Sequence, residues 1–392
     1  MSTPRSRRRR GSSVLSPIAL ALLCGCATLA SDGRGDVDLP SALSGPFRAL
    51  KRTLSCDAED HCTGVNELPS GTQDGVPKYP GIPPSRSPTV LVRGSGVGDD
   101  LRVILYAARD LDDDVDRIVR MESPTARDFT GAAVDVLHAD APFEGGSMSD
   151  PSAIEVDGSV WIFYAIRPVL SPSPPAGQRP GIARARSTDG LEGRAFLKDA
   201  APVLTIEGAD PSWESGPPRS PSVVRLPDGS FRMFFASGNG IGEAESRDGA
   251  HFTRRPGNPV LHASAPVDIA SLPVGVKPPF DDLGVSDPCG DRYVTAAGRV
   301  HWRVLYTGHD LRGGSAIGFA GRFGDEGPLT PNVGPMYGAK IHGNDPGIAR
   351  FPSFALLFLD QDKDTSTTAY DPKKQQIGVA ITPAMMRLPF PE

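Results

Sequence analysis

Several large classes of protein are set aside by what this sequence lacks. It has no basic balance: 41 Lys and Arg stand against 47 Asp and Glu, a formal net charge of −6. Five of the cations, Arg5, Arg7, Arg8, Arg9 and Arg10, lie in the first 25 residues beside no acid, so the rest of the chain stands at −11. Phosphate binding needs a basic face, and this balance argues against a nucleic-acid partner. There is no phosphate-binding glycine loop. The nucleophile elbow Gly-x-Ser-x-Gly is met only in part, at Gly94-Ser95-Gly96, which leaves serine hydrolase chemistry without support. Aromatics are scarce at 7%, while 44 Gly and 40 Pro break long helices and exclude a helical bundle or coiled coil. Hydrophobic residues at 39% and charged residues at 22% are an ordinary globular share, which excludes disorder over the whole chain. The 392 residues leave room for one large all-β domain or two smaller ones.

The N-terminus reads as an address. The arginines form a positive region, and Val14 to Leu23 is an apolar run interrupted by Pro17. It is shorter than the ~20 residues that span a bilayer, as in a secretory signal. The run ends in Leu23-Cys24-Gly25-Cys26, which resembles a bacterial lipobox with Cys26 as the acylated residue; the alternative is ordinary cleavage after Ala30. Lipid on Cys26 would anchor the body without a spanning helix, and Ala27 after it points to the outer membrane. Residues 1–25 are thus the signal and 26–75 a tether containing a Cys56–Cys62 loop, a pair that would oxidise readily after export. Zinc is a poor alternative, with only His61 near that pair. Cys289 reads as a buried strand thiol.

Residues 76–392 repeat. A block opens five times with a small or acidic residue before proline: Ser87-Pro88, Asp150-Pro151, Ser220-Pro221, Asp287-Pro288 and Asp345-Pro346. An apolar strand follows each opening, among them Trp161-Ile162-Phe163-Tyr164 and Val304-Leu305-Tyr306. Asp157-Gly158 and Asp228-Gly229 are hairpin turns before two of these strands. A strand with interleaved small residues comes next, as in Gly240-Ile241-Gly242-Glu243-Ala244. Five blocks of about four strands read as an all-β, five-bladed β-propeller; a sandwich is the runner-up, but it does not explain one internal order repeated every ~60 residues. Residues near 76–92 are expected to help complete the last blade, since an open edge is a liability.

In a propeller the five openings should converge on the channel. Three carry acids, Asp150, Asp287 and Asp345. A second series lies six residues earlier, as Phe143-Glu144, Trp213-Glu214 and Phe280-Asp281. An aromatic beside a carboxylate suits a sugar, the ring stacking on its C–H face and the acid holding hydroxyls or moving protons. The plainer reading is that Asp before Pro merely shapes a turn. Arg219, Ser220, His262, His309 and His342 are further candidates for the cleft. The run Asp112 to Asp116 reads as exposed. Asp360 to Asp364 has the alternating acids of a calcium loop but Thr365 where that loop needs Gly, so a hairpin tip is the simpler reading.

The pattern resembles the five-bladed propeller glycoside hydrolases, the superfamily of arabinanases, β-xylosidases, invertase-like fructosidases and mannoside phosphorylases. The best local matches are Met148-Ser149-Asp150-Pro151-Ser152 with Val156-Asp157-Gly158 and Phe163-Tyr164, which looks like the invertase-like opening, and Arg219 to Val224 running on to Ser246-Arg247-Asp248-Gly249, which looks like the arabinosidase-like blade. The resemblance implies a nucleophile or base at Asp150. It implies a second Asp where this chain has Ser220, and an acid Glu where it has Asp287. If the register starts at the first block, Ser87 takes the base position. Glu214 is a substitute carboxylate, and Asp345 an auxiliary acid. The expectation is therefore an exported glycosidase acting on an oligosaccharide, without a cofactor, although some relatives hold a divalent ion in the channel. The rival expectation is a non-catalytic surface propeller that binds glycan or a protein partner.

Overall fold

The structure is a computed structural model. It describes residues 86–94, 101–109, 116–124, 133–168, 177–267, 278–294, 298–331, 343–350, 354–362 and 375–383, with short pieces at 48–49, 72–73, 76–77 and 272. The expected signal segment, Cys26, Cys56, Cys62, residues 112–115, His342 and residues 363–374 lie outside these residues. All of the described residues belong to one compact unit, Leu39–Glu392.

Apart from one helical turn, Gly190–Glu192, the regular structure described is strand. Five sheets have four or five strands; in four of them the first strand in chain order lies at one edge, innermost, and in the fifth the innermost strand is Gly343–Arg350 and Arg48–Ala49 lies at the outer edge. The inner strands are Arg86–Arg93, Ser149–Val156, Arg219–Arg225, Gly284–Val294 and Gly343–Arg350. Each packs against the inner strand of the next sheet, and the fifth packs against the first. That closed ring is a β-propeller with five blades, not a sandwich.

Each inner strand carries the same defect. Its pairing with the second strand slips between residues 86 and 89, 149 and 152, 219 and 222, 286 and 289, and 344 and 347. In every case the two residues dropped are the opening residue and its proline. Proline has no N–H to give a ladder, so a bulge is where a strand can carry one. The bulge frees the opening residue from the sheet at the same level in each blade.

The second strands are buried on both faces, as the all-buried Phe231–Ser237 illustrates. Their alternate side chains enter different inter-sheet cores. Tyr164 joins Ile104 and Ile118 between the first two sheets. Its neighbour Phe163 joins Phe231, Met233 and Phe235 between the second and third. Phe234 joins Trp302 and Tyr306 between the third and fourth. At the seam between fifth and first sheets the backbones nearly touch: a Cβ on Gly347 would lie 2.2 Å from the Pro88 carbonyl oxygen. Only glycine fits there.

Cys289 lies on the strand Gly284–Val294 as expected, but it is partly exposed rather than buried. Two further expectations change. Residues 86–93 are the inner strand of the first sheet, fixed there by their own Ser-Pro opening. The outer edge of the fifth sheet is instead paired by Arg48–Ala49, against Ile381 and Ala380. Asp116 is half-buried rather than exposed, and accepts the Met148 N–H at 2.9 Å, just before the second opening.

Candidate functional site

The five opening residues all take the left-handed conformation, with φ between 48° and 53°. Short polar side chains tolerate that region better than bulky or branched ones. The bulge and this φ together turn them toward a common cavity, where hydrogen bonds link four of them, Ser87, Asp150, Ser220 and Asp287. Ser87 Oγ donates to Asp150 Oδ1 at 3.0 Å. Ser220 Oγ faces Asp150 Oδ2 at 3.1 Å and Asp287 Oδ1 at 2.7 Å. Laid end to end, those two bonds cap the separation of the nearest Asp150 and Asp287 oxygens at 5.8 Å. Ser286 Oγ faces Asp287 Oδ2 and His309 Nε2, each at 2.7 Å.

A hydroxyl has one hydrogen. Ser220 therefore donates fully to one carboxylate at a time. Likewise, when Ser286 donates to Asp287, His309 must donate to Ser286. The order Asp–Ser–His differs from the Ser–His–Asp of a nucleophilic serine; here the Ser286 hydroxyl bridges carboxylate and imidazole.

Two cavities meet at this ring. The inner one, about 40 Å³, is lined by the five opening residues and their prolines, room for a water but not for a sugar ring. The outer one, about 510 Å³, is the channel mouth, and its wall includes Asp287, Asp345, Ser220, Ser286 and His309 together with Arg86, Arg167 and Arg219. Asp345 also anchors through its N–H, which Thr307 Oγ1 accepts at 3.0 Å. Asp150 touches only the inner cavity and is 4% exposed. Among the described residues no group of three or more His, Cys, Asp or Glu is disposed to hold a metal ion.

Burial alone would raise the Asp150 carboxyl. The Arg167 and Arg86 charges, with the Ser87 and Ser220 hydroxyls, outweigh it and hold the carboxyl down to about 2. Arg167 completes the pair with a 2.8 Å bond to Oδ1. Burial lowers His309, helped by Arg219 and opposed by Asp287, which favours the neutral imidazole. Arg167 and His309 stand at equivalent places, each two residues past the partner of the residue before the opening, Ala165 for Ser149 and Thr307 for Ser286. Gly238 holds that place in the third sheet, where Ala236 partners Arg219, and its carbonyl accepts a long 3.4 Å bond from Arg219.

The second acidic series is not part of this cavity's wall. Glu144 is fully buried, accepting from Tyr164 and Lys198, each at 2.7 Å. Asp281 accepts from Tyr306 at 2.9 Å. The place of Tyr164 and Tyr306 is taken by Phe235 in the third sheet, which offers no hydroxyl, and there Glu214 takes both a 2.8 Å and a 2.9 Å bond from Arg254. Lys198 and Arg254 in turn occupy matching places, opposite Ala185 and Ala244. Phe143, Trp213 and Phe280 pack into the inter-sheet cores, Trp213 against Phe235 at 5.8 Å. These side chains are taken up by partners within and between the sheets and line neither cavity. His262 is exposed on an outer strand and lines neither cavity.

Sequence reading found Asp287, Asp345, Ser220, Arg219 and His309 at the mouth and missed Arg86, Arg167 and Ser286. A signal for Arg86 was available: Arg-Ser-Pro occurs at both serine openings, 86–88 and 219–221, whereas the acidic openings are preceded by Ser149, Ser286 and Asn344.

No protein-family model matches the sequence, and no curated protein matches it significantly. Solved structures do match in fold. An α-L-arabinofuranosidase from Podospora anserina, in complex with cellotriose, is similar with a TM-score of 0.53 at 13% identity, over 81% of this chain and 95% of that one. The catalytic domain of an α-L-arabinofuranosidase from Coprinopsis cinerea gives 0.52 at 11%, over 82% and 98%. One from Lactobacillus brevis gives 0.54 at 11%, over 76% and 90%. The chain thus has the fold of the β-propeller glycoside hydrolases.

Proposed function

We propose that the chain is a glycosidase that binds an oligosaccharide at the channel mouth and hydrolyses its glycosidic bond with carboxylates of the inner ring. The observation that carries this reading is that Asp287 and Asp345, from separate blades, line one 510 Å³ cavity of a fold shared with three α-L-arabinofuranosidases. Asp287 is the better placed acid: it is the one carboxyl on both the Ser220 and the Ser286 bonds, so a proton given to the leaving oxygen can be replaced through Ser286 and His309. Asp345 then acts on water or on the anomeric carbon. Asp150, expected from sequence to do this, serves here as a buried anion that fixes Ser220 and Arg167. Glu214 has no role in the reaction, being held by Arg254. The bond that breaks is the C–O of the glycoside. Water supplies the hydroxyl to the sugar and the hydrogen to the leaving group.

The replacement of two ring acids by Ser87 and Ser220 favours a second reading, a propeller that binds glycan without cleaving it. We further propose export and lipid anchoring through Cys26. Incorporation of labelled palmitate, lost in Cys26→Ala, is the expected outcome.

Hydrolysis separates the two readings. The full chain is incubated with arabino-, xylo-, fructo-, galacto- and manno-oligosaccharides, beside Asp287→Asn and Asp345→Asn. Turnover that drops at least about 100-fold in either variant supports the enzyme. Saturable binding with no turnover on any sugar moves the assignment to the binding module.

A further inference from the structure

The mouth does not share the net negative charge of the protein. The whole chain is at −6. Yet the wall of the 510 Å³ cavity brings three guanidinium groups, Arg86, Arg167 and Arg219, against two carboxylates, Asp287 and Asp345. Arg167 is accounted for by its 2.8 Å pair with Asp150 beneath. Arg219 is different. Its bond to the Gly238 carbonyl is long at 3.4 Å, and no ion pair joins it to a carboxylate among the described residues. Guanidinium carries five donors, so most of its hydrogen-bonding capacity remains for something in the cavity.

Arg219 and Arg86 also share an origin. They precede the two serine openings, where the equivalent residues of the acidic blades are small and uncharged. At two of the five places, then, a cation followed by serine stands where the other blades have an uncharged residue followed by aspartate.

Building on the reading of this cavity as a glycan site, we propose that its ligand is a sugar bearing an oxyanion, a uronate carboxylate or an ester phosphate or sulfate, held by Arg219 together with Arg86. A planar guanidinium presents two parallel N–H groups to such an anion, which selects it over a neutral hydroxyl. The hydroxyls of the same sugar fall to Asp345 and Ser220.

Calorimetric titration of the full chain tests this with matched probes. Trigalacturonate is compared with galactotriose, and glucose 6-phosphate and glucose 6-sulfate with glucose. Sodium acetate and inorganic phosphate are titrated alone. The expected result is that one charged sugar binds at least about tenfold more tightly than its neutral match, and that added salt narrows the gap. In Arg219→Gln the ratio falls toward one, with an unchanged melting temperature. Exposed Arg247→Gln is expected to keep the ratio. Which charged probe wins names the source of the anion. Equal binding of charged and neutral sugars overturns the anion and leaves the glycan reading standing. If acetate or phosphate alone binds as well as the sugars, the sugar half is overturned. If no sugar binds or is cleaved, both readings fall.

Discussion

Asp150 and Ser220 show how much one polar side chain can do inside a propeller. Asp150 is nearly inaccessible, yet four groups hold it as an anion. Its folded value, about 2, is below the ordinary unfolded value of about 3.9. Stability from this residue is therefore present above about pH 4 and lost as pH falls toward 2, a contribution of about 2–3 kcal/mol. Urea unfolding measured between pH 5 and 2 should show that slope in the native chain, and Asp150→Asn should flatten it. Ser220→Ala removes the hydrogen between two carboxylates. We expect it to cost about 1–3 kcal/mol at neutral pH, measured the same way, and to lose less at low pH, where a protonated acid supplies the missing donor. The sequence showed these residues as members of a series, because Asp-Pro and Ser-Pro are visible side by side. It could not show which of the acids touches the ligand cavity, since exposure depends on how far each bulge turns its side chain.

At the scale of the element, the aromatic–acid pairs are the instructive misreading. Phe143-Glu144 looks the same in sequence whether it lines a cleft or braces a blade. The distinguishing partners, Tyr164 and Lys198, are 20 and 54 residues away. Sequence marks only part of the bracing: the third sheet has Phe235 in place of tyrosine, and Arg254 where the second has Lys198. Burial of Tyr164, with the Glu144 carboxylate beside it, keeps the phenol well above its usual range, so it stays a donor. Glu214→Gln should destabilise the fold by about 3–5 kcal/mol, because it leaves the Arg254 charge half-satisfied beside Phe235. Glycan binding by the molecules that remain folded should not change; a selective loss of binding would return Glu214 to the site. Gly347→Ala should cost about 1–3 kcal/mol or more by forcing the fifth and first sheets apart, read as a lower denaturation midpoint.

For the whole molecule, five-fold repetition was legible because proline enforces the same bulge in every blade, and a bulge leaves a sequence mark. Closure was not legible, because two residues, Arg48 and Ala49, carry no periodicity to detect. Their place on the fifth sheet makes a prediction. A chain starting at residue 76 should expose that edge, melt lower by roughly 2–4 °C for each kcal/mol lost, and associate more in light scattering. Around the channel the sheets are also sewn together: Thr89, Ser152 and Ser222 each accept an N–H from the next inner strand, of Ala153, Val223 and Gly290. The opening residues sit just before these stitches, all at one backbone conformation. The scaffold is thus indifferent to whether a given place holds serine or aspartate. The ring reads as a five-letter word, Ser-Asp-Ser-Asp-Asp, spelled in an alphabet of two. Any letter can be exchanged without moving the chain, and only the charge of its neighbours forbids a spelling. Two adjacent aspartates already stand in the fourth and fifth blades, and a third beside them would need a cation or a bound proton. New specificities in such a fold can therefore arise by single substitutions, one blade at a time, with the architecture untouched.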